Sequence, residues 1–308
     1  MQFTTFGRTG LKVSRIAFGA GPIGYLDSSQ ARVTQVLNLL LDRGVNVIDT
    51  AAAYLGSEEL IRKAVGHRRS EYVLVSKCGR RVEGLEGEDW SGRLVAATVD
   101  RSLRRLGTDC LDVMLLHSCP KEVLERGEAL EALLKAREAG KIRFAGYSGD
   151  NDAARFAVGL AGVDVLMCSA SICDQANLDG ALPAAARART AVIAKRTVAN
   201  AAWKPAAAQQ GIYRDYVKPY AARFEAMGLD PRDLGFKGPG AWMEIALRFT
   251  LAEPAVQVLS IGTTSLENAE ANLGLVEAGP LAPEAVAKIR AAFREARGRA
   301  GEEWPGLT

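Results

Sequence analysis

Histidine is scarce in this chain, with only His67 and His117 among 308 residues. The five cysteines, Cys78, Cys110, Cys119, Cys168 and Cys173, are odd in number and show no C-x-x-C spacing. A zinc site of His and Cys ligands is therefore not expected. Reduced thiols in a cytoplasmic protein are the simplest account. Long apolar runs are also missing, and none approaches the roughly 20 residues that cross a bilayer. The start, Met1 to Phe6, has no basic stretch leading into an apolar one, so no signal peptide is expected. Excess charge is small: 39 Lys and Arg against 36 Asp and Glu give a net charge of +3. The pairs Arg68-Arg69 and Arg80-Arg81 read as solvated surface charge. Neither a nucleic acid nor a membrane is an expected partner.

What the chain does contain is a rhythm. Phe3 to Phe6 and Lys12 to Ser14 flank Gly7-Arg8-Thr9-Gly10 and read as a short hairpin. Apolar strand signals follow at 15–19, 46–50, 72–78, 111–117, 143–147, 163–167, 191–195 and 256–261. Between them lie helical patterns, for example from Ser28 or Ser29 as cap to Arg43, over 122–139 and over 178–189. A last helix is expected after Pro283. The segment 198–240, rich in Ala, Gly and Pro and holding Trp203, Tyr213, Tyr216 and Tyr220, breaks the rhythm. It reads as an insertion with some helix over one end of the molecule. Eight short apolar strands alternating with amphipathic helices predict one (β/α)8 TIM barrel spanning 1–308, with an N-terminal β-hairpin and a C-terminal helix. A doubly wound sheet is the competing fold. Gly19-Ala20-Gly21-Pro22-Ile23-Gly24 comes near its glycine fingerprint, but Pro22 and the loop after it are not expected to open a helix.

Four polar residues stand at or just beyond the ends of the second, third and fourth barrel strands. Asp49, Lys77 and His117 end the runs 46–50, 72–77 and 111–117, and Tyr54 lies in the loop after the second. In such a barrel all strands open on one face, so the four can converge. A tyrosine phenol is a weak acid at neutral pH, and an adjacent Lys77 ammonium is expected to lower its pKa and make Tyr54 a proton donor. Asp49 can pair with Lys77 and hold it. His117 can hydrogen-bond a carbonyl oxygen, on which negative charge grows as a hydride reaches carbon. The hydride must come from a cofactor, because no side chain supplies one.

With these residues in view the chain resembles the aldo-keto reductase family. The resemblance runs through Phe6-Gly7-Arg8-Thr9-Gly10-Leu11, Ile48-Asp49-Thr50 up to Tyr54 and Gly56-Ser57-Glu58, Val75-Ser76-Lys77, Ser102-Leu103-Arg104-Arg105-Leu106-Gly107 and Leu115-Leu116-His117. It implies an NAD(P)H-dependent oxidoreductase that reduces an aldehyde or ketone, with Tyr54 as acid/base and no metal. NADP(H) is the expected cofactor and NAD(H) the alternative.

Cofactor contacts are expected at Gly21, Pro22, Asp49 and Ser148, with Lys195 or Arg196 on the phosphates. Further contacts are expected along Ile261, Gly262, Thr263, Thr264 and Asn268, with Asn272 on adenine. A helix N-terminus after the last strand suits phosphate. Several positions depart from the family pattern. Gly149 follows Ser148 where asparagine is usual, and Met167 or Cys168 replaces a glutamine. Lys195-Arg196 stands where an aromatic commonly stacks on nicotinamide, and Gly262 and Asn268 replace basic residues. Tyr54, Trp90 and His117 are the expected substrate contacts. Two rival functions remain: a non-catalytic NADP(H)-binding regulatory barrel, and a lyase using Lys77 or Lys195 as a Schiff-base amine.

Overall fold

The computed structural model describes residues 1–26 and 28–307, with the side chain of Ala206 left aside. Strands β1 (Phe3–Thr5) and β2 (Lys12–Ser14) pair antiparallel. The barrel strands are β3 (Ile16–Gly19), β4 (Val47–Asp49), β5 (Val73–Cys78), β6 (Leu111–His117), β7 (Ile142–Ser148), β8 (Val165–Ser169), β9 (Ala191–Lys195) and β10 (Val258–Ile261). They run parallel in chain order, and β10 closes on β3. This is the expected TIM barrel.

Two apolar layers hold it. Val47, Val75, Val113, Leu115, Val165 and Ile193 fill the barrel interior, and Phe6 and Val13 of the hairpin join that cluster. The hairpin therefore plugs the end where the strands begin. Gly7, at φ +49, packs so close to β9 that a Cβ there would lie 2.5 Å from the Ala191 nitrogen. On the outer face of the barrel, Ile48 and Leu74 of the strands and Leu37, Ile61 and Leu133 of the helices belong to the layer between them. A third cluster packs Val217, Tyr220 and Met227 with Ile289, Phe293 and Trp304. It ties the segment after β9, which includes the helix Lys218–Met227, to the C-terminal helix Pro283–Ala300.

Three local expectations change. Gly21–Tyr25 does form a helix of one turn, with Pro22 in its first turn. Proline is tolerated there because the N–H it lacks would have had no partner in the helix. The helix expected over 122–139 is two, Lys121–Arg126 and Glu128–Glu138, because Gly127 adopts φ 78 between them. The helix expected over 178–189 is likewise two, Ala176–Asp179 and Ala181–Ala188. Ser29 caps the helix Gln30–Asp42, accepting a hydrogen bond from the Arg32 N–H.

Candidate active site

Asp49, Lys77 and His117 all open on a cleft of about 590 Å³ at the C-terminal ends of the strands, and Tyr54 joins them. Tyr54 sits in a tight turn, its N–H donating to Ala51 O at 3.0 Å. The helix Gly21–Tyr25 presses on that turn, and only a glycine fits at position 24, where a Cβ would lie 2.7 Å from the Tyr54 Cβ. Tyr25 then meets Tyr54 edge-on, with ring centroids 5.3 Å apart. The Tyr54 and His117 rings are also edge-on, at 6.0 Å.

Lys77 and Asp49 form a buried ion pair. The Lys77 ammonium donates to Asp49 Oδ1 at 2.5 Å and to Thr50 O at 2.8 Å. Ser260 Oγ donates to the other Asp49 oxygen at 2.9 Å. The ammonium lies 5.0 Å from the centre of the Tyr54 ring. This geometry reverses one expectation. The Tyr54 hydroxyl is pushed up, not down: burial removes water from the phenolate, and the Asp49 charge repels it. Lys77 does not offset this, because its charge is already matched by Asp49. His117 is pushed well below its ordinary value by burial and by the cations Lys77, Lys195 and Arg80. It is a neutral imidazole at neutral pH, and its Nδ1 is buried without a hydrogen-bond partner.

The expected cofactor positions divide. Gly21, Pro22, Ser148, Lys195, Arg196, Ile261, Gly262, Thr263, Thr264 and Asn268 line the same cleft. Asn272 does not. It is buried beside Ile261, Thr263 and Ala269 in a small cavity behind β10. Trp90 does not line the cleft either. Its indole N–H donates to His117 O at 3.0 Å, so it buttresses His117 from behind. Lys195 pairs with Asp150 at 2.9 Å. Burial alone would raise the Asp150 carboxyl, but Lys195 and the Ser169 N–H hold it below the ordinary range. Arg196 stands over the Tyr216 ring at 5.6 Å.

The structure gives reasons for two departures from the family pattern. A Cβ at Gly149 would lie 2.2 Å from the Tyr147 hydroxyl oxygen. That hydroxyl is fixed by donating to Cys119 O at 2.8 Å, so no larger residue fits at 149. A Cβ at Gly262 would lie 2.5 Å from Pro22 Cδ and 2.9 Å from Gly19 O. A basic side chain is thus sterically excluded there. Asn151 is occupied elsewhere, bonding both the N–H and the C=O of Gly306 in the C-terminal tail.

Tyr25, Arg80, Tyr213, Tyr216 and Ser260 also line the cleft and were not singled out as site residues from the sequence. Ser260 could have been found as the polar residue near the C-terminal end of the last strand, where the other site residues stand on theirs. The others reach the cleft from loops and short helices, and their aim depends on backbone geometry.

A nicotinamide dinucleotide suits this cleft. It needs an extended groove with a flat, side-chain-free wall and buried polar anchors. Gly19, Gly21 and Gly262 supply the wall, and Ser148 is a buried hydroxyl on the lining. Comparison with known proteins agrees. The sequence profile of the Aldo/keto reductase family matches residues 15–294. The chain belongs to the aldo-keto reductase family. Members are oxidoreductases that use nicotinamide cofactors and act on small-molecule carbonyl compounds.

An aldo-keto reductase from Bacillus halodurans, AKR11C1 in its holo form, superposes with a TM-score of 0.80 at 26% identity, over 95% of this chain and 96% of that one. An uncharacterised oxidoreductase of Bacillus subtilis, YqkF, is 26% identical over 94% of this chain and 96% of its own length. L-galactose dehydrogenase of Arabidopsis thaliana is 35% identical, over 48% of this chain and 49% of its own. The chain thus aligns with about half the length of that plant enzyme. No described helix is long and apolar enough to cross a membrane.

Proposed function

We propose that this reductase converts an aldehyde or ketone to an alcohol with Tyr54 as general acid, NADPH as donor and NADH as the alternative donor. The observation that carries the reading is the convergence of Tyr54, His117 and the Lys77–Asp49 pair on one cleft. The bound cofactor supplies the hydride. The chain's own residues do the rest. His117, neutral, offers a hydrogen bond to the carbonyl oxygen, and a donor aimed at that oxygen counts most when its charge is greatest. Tyr54 stays protonated through the neutral range and delivers its proton to the nascent alkoxide. Lys77, fixed by Asp49 and Thr50 O, lies 5.0 Å from the Tyr54 ring centre and matches the Asp49 charge that would otherwise bear unopposed on the phenolate left after transfer. Ser148, Lys195 and Arg196 would hold the cofactor against the strand ends.

The lyase reading loses support from the same geometry. A Schiff-base lysine must be an uncharged amine, whereas Lys77 and Lys195 are each ion-paired with a buried aspartate.

Removing the Tyr54 hydroxyl tests the proposal. Tyr54→Phe should retain nicotinamide binding, read by fluorescence titration with NADPH and NADH. It should lose about 10²–10⁴-fold in kcat, the usual contribution of a positioned acid. Reduction of an aldehyde panel at the wild-type rate by this variant would sink the mechanism.

A further inference from the structure

Arg80 and Arg81 are neighbours in sequence with different situations. Arg81 turns to Asp89: its N–H donates to the carboxylate at 2.7 Å and its guanidinium lies 3.5 Å away. Arg80 lines the same cleft as His117 and Ser118, is exposed to solvent, and has no ion-pair or hydrogen-bond partner among the described residues. The base of its loop is pinned. The Trp90 N–H donates to Gly79 O at 2.6 Å, and the Trp90 indole holds His117 O at 3.0 Å. Arg80 is therefore anchored to the same scaffold as the imidazole. Its charge is felt at His117 and at Tyr25, the residues on either side of Tyr54.

The other cations of the cleft are engaged: Lys77 with Asp49, Lys195 with Asp150, and Arg196 over Tyr216. Among the described residues, the carboxylate that lines the cleft is Asp49, and both its oxygens are occupied. Arg80 is thus, among the described residues, the cleft cation with neither a carboxylate nor an aromatic ring against it. It does not stand with the proposed phosphate contacts. In the strand order β5 is four places from β9, across the barrel from Lys195, and three from β10, which leads to Thr263 and Thr264.

We propose that Arg80 binds an oxyanion group, carboxylate or phosphate, carried by the carbonyl substrate. This rests on the reductase reading above and names the substrate class of that site. A guanidinium forks onto a carboxylate or phosphate through two parallel N–H donors, so it fixes direction as well as charge. The anion would hold the substrate with its carbonyl toward His117 and Tyr54.

The test compares matched aldehydes: benzaldehyde with 4-carboxybenzaldehyde, and glyceraldehyde with glyceraldehyde 3-phosphate. Wild type should prefer the charged member of at least one pair by about tenfold or more in kcat/KM, and the pair that shows it identifies the oxyanion. Arg80→Ala should erase that preference through KM, leave the neutral aldehydes within about threefold, and keep the wild-type Tm. Arg80→Lys should retain part of it, and Arg81→Ala all of it. No preference in wild type, or a preference that survives Arg80→Ala, overturns the inference while leaving the reductase reading intact. Failure to reduce any of the four with either cofactor overturns both.

Discussion

Asp49 accepts from Lys77 on one oxygen and from Ser260 on the other, and neither charged partner is more than slightly exposed. Two buried ions compensate each other only while both are present. Asp49→Asn keeps the shape and removes the counter-charge, so the Lys77 ammonium is left with neutral acceptors alone, the amide oxygen and Thr50 O. The variant should lose about 3–5 kcal/mol of stability at pH 7, the cost of an unpaired buried charge. Adding Lys77→Met should restore most of it, because an apolar chain of similar length needs no partner. Urea unfolding of the two single variants and the double variant would show the non-additivity; equal and additive losses would mean the pair is not coupled. The same pair explains why local sequence reasoning misjudged Tyr54. A lysine near a tyrosine suggests a lowered phenol pKa, but a lysine already matched by an aspartate leaves burial to dominate.

The elements show a second pattern. Strands and long helices were legible in the sequence, because buried parallel strands read as unbroken apolar runs and the helices between them are amphipathic. What escaped were short pieces placed by tertiary contacts: the helix Gly21–Tyr25, the break at Gly127, and the C-terminal tail. That tail docks through a polar network after β7 and β8. Asn151 clamps Gly306, Arg223 donates to Pro305 O at 2.9 Å, and the Leu307 N–H donates to Asp174 at 3.1 Å. The Tyr220 hydroxyl also donates to Asp174, at 3.0 Å, while its second oxygen has no partner.

Burial, and then the nearby Asp150 charge, push the Asp174 carboxyl up to about 6. Leu307 N–H, Tyr220 and Arg223 pull it down less strongly. For a carboxyl raised in the folded state, the stability it contributes is complete below the unfolded value and is lost as pH rises through about 6. Asp174→Asn keeps one acceptor oxygen and removes the titration. The stability of the variant relative to wild type should therefore rise by about 1.4 kcal/mol between pH 5 and pH 8. Parallel denaturant titrations at the two pH values read this, and a pH-independent difference would refute it.

At the scale of the whole molecule, the barrel separates what holds it together from what it does. The four residues at the strand ends were legible because the strands announce their own ends, and a parallel barrel must bring those ends to one face. The loop residues around them were not, since the aim of Arg80 or Tyr213 depends on turns that no periodicity encodes. The opposite end is closed by the hairpin, whose Phe6 and Val13 complete the interior cluster. Phe6 is fully buried, and Thr9 secures its turn by donating to Phe6 O at 2.5 Å. Phe6→Ala would open a void in the barrel floor and should cost about 3–5 kcal/mol, a fall in Tm on the order of 10 °C. The hairpin packs against the starts of β4, β5 and β6, whereas the reacting residues stand at or beyond the far ends of those strands. Aldehyde reduction per folded molecule at 25 °C should therefore stay within about twofold of wild type. Thermal melts and initial rates on the same preparation test both halves. A large loss of kcat at an unchanged Tm would show that the floor and the cleft are coupled, against the division of labour that the strand-end geometry implies.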